Sequence, residues 1–120
     1  MANYLRQLRN LSVILTVGMA TAGCVHLPGG ISDSSTPLEG KSYSVVGSVE
    51  GTSSRVALLG ILPLSGANRT DEALERAVKS KNGDALINVT VEFVREFWIL
   101  WTSDTTIVRG EAIKFGGTAR

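Results

Sequence analysis

The sequence predicts a small α+β domain, in which a mainly antiparallel sheet carries one helix on one face in the order ββαββ. Three observations predict it. Ile87, Val89, Val91 and Phe93 alternate with Asn88, Thr90 and Glu92, the period-two pattern of a half-buried strand. Ala73, Leu74, Ala77 and Val78 share one helical face, between acidic Asp71 and Glu72 at the start and Lys79 and Lys81 at the end. Asn82-Gly83 and Thr102-Ser-Asp104 supply the stop and turn chemistry that separates these segments.

A leader, residues 1–23, precedes the domain. Arg6 and Arg9 lie ahead of an apolar run from Leu11 to Ala20. That run is about ten residues long, the length of an export-signal core and well short of the ~20 that span a bilayer. Thr21-Ala22-Gly23-Cys24 resembles a bacterial lipobox, with Thr21 where that pattern usually has Leu. The resemblance implies cleavage between Gly23 and Cys24 and acylation of Cys24, which would tie the protein to a membrane. It also implies the outer membrane and its periplasmic face, because Val25 stands where an inner-membrane lipoprotein typically has Asp. Each buried methylene adds about 0.8 kcal/mol, so several acyl chains make a lasting anchor where one does not. Ala20-Thr21-Ala22 also satisfies the small-x-small rule of ordinary signal peptidase, which would release a protein beginning at Gly23 into the periplasm. Retention of an uncleaved anchor is the third option, and the short apolar run argues against it.

Cys24 is the only cysteine, so no disulfide forms within one chain. The whole chain has 12 Lys and Arg against 11 Asp and Glu; loss of Arg6 and Arg9 leaves 10 against 11, a net charge of −1. Without a basic run, that balance offers no footprint for nucleic acid.

Residues 24–42 read as the acylated cysteine followed by a flexible tether. Leu27-Pro-Gly-Gly30 and Ser32-Asp-Ser-Ser-Thr-Pro37 combine Gly, Pro and Ser with few large apolar residues, too little to offset the entropy of ordering them. His26, the only histidine, falls in this segment and reads as spacer. The folded domain, residues 43–115, begins with a half-buried strand in which Tyr43, Val45, Gly47 and Val49 alternate with Ser44, Val46, Ser48 and Glu50. Gly51 to Ser54 reads as a turn. Val56 to Leu62 is an apolar run of strand length, expected to be buried on both faces, with Pro63 ending its pairing. The helix follows, capped by Asn68 or Thr70, with a Glu72–Arg76 pair on its wet side and Asn82-Gly83 as its stop. The strand from Ile87 continues through Phe97 to Trp101, Thr102 to Asp104 turns the chain, and Thr105 to Phe115 returns as a hairpin partner. Residues 116–120 are expected to fray.

Four stretches carry a family resemblance: Leu59 to Gly66, Asp71 to Ala77, Gly83 to Val89, and Thr105-Thr-Ile-Val-Arg-Gly-Glu111. Together they resemble the tRNA-associated-locus (TRL-like) small bacterial lipoproteins over roughly residues 43 to 113. The hairpin is richer in tryptophan than that pattern. The resemblance supplies no catalytic residues and implies no tRNA chemistry.

Each enzymatic arrangement lacks a component. Gly60 to Gly66 is interrupted by apolar residues and Pro63, unlike a phosphate-binding loop. No cysteine–histidine cluster offers a metal site, and no cofactor is implied. A serine or cysteine nucleophile would need His26 as its base, within the tether. Glu92 and Glu96 form a carboxylate pair that reads as a solvated strand face rather than an acid–base couple. Two Asn-x-Thr sequons, at Asn68 and Asn88, carry no weight in a bacterial chain.

The remaining feature is Phe97-Trp-Ile-Leu-Trp101. Five large apolar residues in succession cannot share one strand face; Trp98 and Leu100 would oppose Phe97, Ile99 and Trp101. Either the protein covers both sets itself, or Trp98, Leu100 and Trp101 mark an interaction surface for lipid, an envelope protein or a second copy. The expected function is a lipid-anchored, non-catalytic envelope module. The alternative is a periplasmic small-ligand binder with its pocket between helix and sheet.

Overall fold

The computed structural model describes residues 1–20 and 23–116. Helix α1 (Ala2–Ala20) comes first, then strands β1 (Gly23–Ser34), β2 (Tyr43–Leu58) and β3 (Leu62–Ser65), helix α2 (Thr70–Ser80), and strands β4 (Ala85–Phe97) and β5 (Trp101–Phe115). The fold is α+β. One antiparallel sheet has the order β1-β4-β5-β2-β3, with α2 lying across β2 and β5 on one face. No described helix is long and apolar enough to cross a membrane.

The core lies between α2 and the sheet. Ala73 and Ala77 are fully buried against Leu86, Val108 and Ala112, with Val49 and Val89 closing the cluster and Leu74, Val78 and Val91 at its margin. The four-residue helical stripe therefore faces the sheet as its spacing predicts. Its small inner residues bring the helix backbone close, so β2 must present glycine beneath it. A Cβ on Gly51 would lie 2.0 Å from Ala73 O and 2.5 Å from Ala77 N.

This close approach corrects the turn expected at Gly51 to Ser54. β2 runs unbroken for 16 residues and pairs with β5 from Tyr43↔Phe115 to Leu58↔Trp101. Gly51 makes room for α2, and the buried Ser53 hydroxyl has two acceptors in reach of its one hydrogen, Ala67 O at 2.8 Å and Glu72 Oε2 at 3.0 Å. Polar, turn-like composition here serves a strand that touches a helix end.

The run from Val56 to Leu62 is not one buried strand. β2 ends at Leu58, Leu59 and Gly60 turn the chain at φ 52° and 73°, and Pro63 sits inside β3 opposite Ala57. Proline is tolerated because β3 is a sheet edge, where its missing N–H faces outward.

The expected tether also needs correction. From Gly23 to Ser34 it is β1, an edge strand along β4 with Gly23↔Phe97 and Ser34↔Ile87 at its ends. A 13-residue β4 offers backbone partners along that length, and a bulge between Pro28 and Gly30 absorbs the turn-forming residues. Gly29 lies tight on Phe93 and Val91, where a side chain would collide. Backbone pairing orders this segment with little burial of its own side chains. Residues 35–42 stay outside the strands, held partly by Ser35 N–H donating to Leu86 O at 2.9 Å.

Local details differ at the ends of elements. The α2 N-cap is Arg69, with no side-chain capping bond, while Asn68 Oδ1 accepts from Thr106 Oγ1 at 2.6 Å instead. At the C-terminal end Asn82, not Gly83, takes the left-handed conformation, and Gly83 N–H closes on Val78 O at 3.0 Å. In β4 a bulge at Asn88 (φ 51°) shifts the register, so Leu86 rather than Ile87 joins Val89 and Val91 on the helix side. The tail was expected to fray from residue 116; Gly116 N–H donates to Ser42 O at 3.0 Å, and residues 117–120 lie outside those described.

Candidate anchoring and interaction site

The two hairpin turns of the sheet meet at one end. β4 closes at Phe97 and β5 opens at Trp101, so Trp98 to Leu100 form a turn rather than continuing a strand. Trp98 N–H donates to Trp101 O at 2.9 Å, and Leu59 N–H of the neighbouring β2–β3 turn donates to Leu100 O at 2.8 Å. The expected strand alternation is thereby replaced by a tip on which all five residues from Phe97 to Trp101 are exposed. Trp98 and Trp101 stack on each other, with ring centroids 5.9 Å apart. Leu59, Ile61, Leu62 and Leu64 extend the apolar surface from the adjacent turn. No charged residue occurs from Val56 to Asn68 or from Phe97 to Ser103.

Gly23 and Cys24 lie at this same end. Gly23 pairs with Phe97 and Cys24 with Glu96, and the Cys24 thiol is exposed, 3.9 Å from Glu96 Oε1. The candidate modification residue and Trp98, Leu100 and Trp101 are therefore brought together, about 75 positions apart in sequence but adjacent on the sheet. Register alone achieves this. Thr21, the position that departs from the lipobox pattern, lies outside the described residues.

Behind the tip, on the helix side, lies a polar cluster that the sequence reading missed. Thr102 to Asp104 belong to β5 rather than to a turn, and Asp104 stands opposite Arg55 on one side and Arg95 on the other. Arg95 Nε donates to Asp104 Oδ1 at 2.5 Å, and Arg55 Nη2 donates to Oδ2 at 2.9 Å. Those bonds, Arg95's foremost, hold the Asp104 carboxyl below the usual carboxylate range despite the opposing effect of burial. Sequence alone offered only like and unlike charges at scattered positions.

The helix-free face carries a second network. Arg109 donates from Nε to Glu50 Oε2 at 2.6 Å and from Nη1 to Glu92 Oε2 at 2.9 Å, while His26 Nδ1 lies 2.7 Å from Glu92 Oε1. His26 is thus a strand residue rather than a spacer. It first, and Arg109 second, draw the Glu92 carboxyl below its usual range. Glu96 is separate from this network, beside Cys24. Among the described residues, no group of three His, Cys, Asp or Glu is arranged to hold a metal, and no buried side-chain nitrogen or oxygen lacks a hydrogen-bond partner. The space between helix and sheet, where the alternative small-ligand reading places a pocket, is filled by Ala73, Ala77, Leu86 and Val108.

No family model, curated protein or solved structure matches the chain.

Proposed function

We propose that the protein is a lipid-anchored, non-catalytic module of the bacterial cell envelope, held by acylated Cys24 and presenting its sheet domain to an envelope partner or a second copy. One observation carries this reading: exposed Cys24 occupies the second rung of β1, opposite Glu96, beside the uncharged tip formed by Trp98, Leu100 and Trp101. The leader ahead of it supports export, and Val25 favours the outer membrane on the lipobox resemblance. The TRL-like resemblance of the domain fits the same address. Two of the candidate acid–base carboxylates are engaged in ion pairs, Asp104 with two arginines and Glu92 with Arg109 and His26.

The reading is tested by expressing the full chain and its Cys24→Ser variant in a Gram-negative host. The parent is expected to partition into the detergent-rich phase of membrane extracts, and the variant is expected to lose that partitioning. Equal partitioning of the two would reject Cys24 as the anchor.

A further inference from the structure

The structure removes the spacer that would hold the domain away from the lipid. If chain and lipid meet at Cys24, the next residue is already paired in β1, with Val25 opposite Arg95. Whatever anchors Cys24 therefore brings that end of the sheet to the membrane surface. Trp98 lies two residues beyond Glu96, the rung opposite Cys24, so the tip reaches roughly 7–10 Å further along the strand direction at about 3.3 Å per residue. That reach matches the 5–10 Å to which apolar faces enter the headgroup and acyl boundary.

The composition of the tip fits that layer. Tryptophan concentrates at membrane interfaces because its ring is amphipathic, and both tryptophans of the chain are here. A charged side chain would oppose burial in lipid, and the two turns contain none. Leu59 is a further, independent indication. It occupies a left-handed turn position at φ 52°, where Asn or Gly is favoured, and it is 62% exposed. An exposed leucine in a strained turn contributes nothing to the fold that Asn would not supply better.

We infer that the tip formed by Leu59, Ile61, Trp98, Leu100 and Trp101 seats in the interfacial layer of the lipid bilayer, so that the sheet stands on the membrane on its two hairpin turns. This orientation rests on the anchoring reading for its encounter with lipid. It goes beyond that reading in fixing which end of the domain faces the membrane and which faces are left for partners. The arginines near this end are engaged, Arg55 and Arg95 with Asp104 and Arg69 with Asp71, and Glu96 beside Cys24 is an anion, so insertion is apolar rather than driven by attraction to lipid charge.

The two tryptophans are the probes. The full chain, purified from membranes, is reconstituted in vesicles of phosphatidylethanolamine and phosphatidylglycerol containing lipids brominated at graded depths along the acyl chain. The expected result is blue-shifted emission, quenched most by bromines nearest the headgroup and unchanged by a tenfold rise in salt. Leu59→Asn combined with Leu100→Asn is expected to reduce the quenching while circular dichroism shows a folded domain. Acylated protein that floats with the vesicles while its tryptophans stay unquenched overturns the inference and leaves the anchor intact. Blue-shifted emission that no bromine quenches means that a second copy or another protein covers the tip, and also overturns it. Quenching in a chain whose Cys24 carries no acyl group supports the tip and rejects the anchor.

Discussion

Replacement of Gly51 tests the contact on which the domain is built. Ordinary van der Waals contact for a Cβ begins near 3.4 Å, whereas one on Gly51 would meet Ala73 O at 2.0 Å and Ala77 N at 2.5 Å. Both atoms are helix backbone, so no side-chain rotation relieves the clash, and α2 must lift by about 1.4 Å. A radial gap of 0.5–1 Å already forfeits a quarter to a half of a dispersion well, so Ala73 and Ala77 would lose much of their contact with Leu86 and Val108. Overpacking costs typically about 1–3 kcal/mol, and the backbone collision puts Gly51→Ala at the upper end, about 3 kcal/mol. For a domain whose whole stability is roughly 5–15 kcal/mol, that is a large fraction. With a urea dependence of about 1.5 kcal/mol per molar, the midpoint falls by about 2 M. Urea unfolding followed by far-ultraviolet circular dichroism measures it, with Ser54→Ala, exposed on the same strand, as a control expected to change by less than about 0.5 kcal/mol. A Gly51→Ala midpoint matching the parent would refute the close packing of α2 on β2.

Three further substitutions test local features. Asp104 has a lowered folded-state pKa, so its contribution to stability is present above the unfolded value near ~4 and is lost as pH falls through the folded one. Asp104→Asn is therefore expected to flatten that part of the acid-unfolding curve, and an unchanged acid limb would show that the two arginines add nothing. Leu59→Asn relieves a left-handed leucine and is expected to raise stability by roughly 0.5–1 kcal/mol in thermal unfolding; a lower melting temperature would contradict the turn geometry. At the β4 bulge, Asn88→Gly is expected to be tolerated, whereas Asn88→Val should destabilise by about 1–3 kcal/mol, because a β-branched side chain resists φ 51°. Equal effects of the two substitutions would place the bulge elsewhere.

The segments most legible in the sequence were those whose periodicity answered to a single partner. The α2 stripe of Ala73, Leu74, Ala77 and Val78 met one apolar sheet surface, and Val89 and Val91 of the β4 alternation met the helix, whereas Phe93 lies exposed beyond it. Composition misled where it answered to long-range geometry. Gly51 to Ser54 has turn chemistry because a helix backbone and its entering loop press on that strand, which no local window contains. Residues 23–34 have linker composition because β1 is an edge strand held by main-chain hydrogen bonds, and those bonds leave no mark on side-chain pattern. Ile87 fell on the wrong face through a one-residue bulge, since a single extra residue inverts strand parity. For the site, the sequence identified Cys24 and the Phe97 to Trp101 cluster separately. Their adjacency depends on β1–β4 register, and the Leu59–Ile61 half of the tip depends on where β2 turns. The Arg55–Asp104–Arg95 cluster draws on three strands and was not visible from spacing at all.

The most direct test of the account is the intact mass of the protein extracted from envelopes, together with sequencing of its N-terminal peptide. The account predicts a chain that begins at Cys24 and carries acyl groups on that residue. An unmodified chain beginning at Gly23, or one still beginning at Met1, would contradict it.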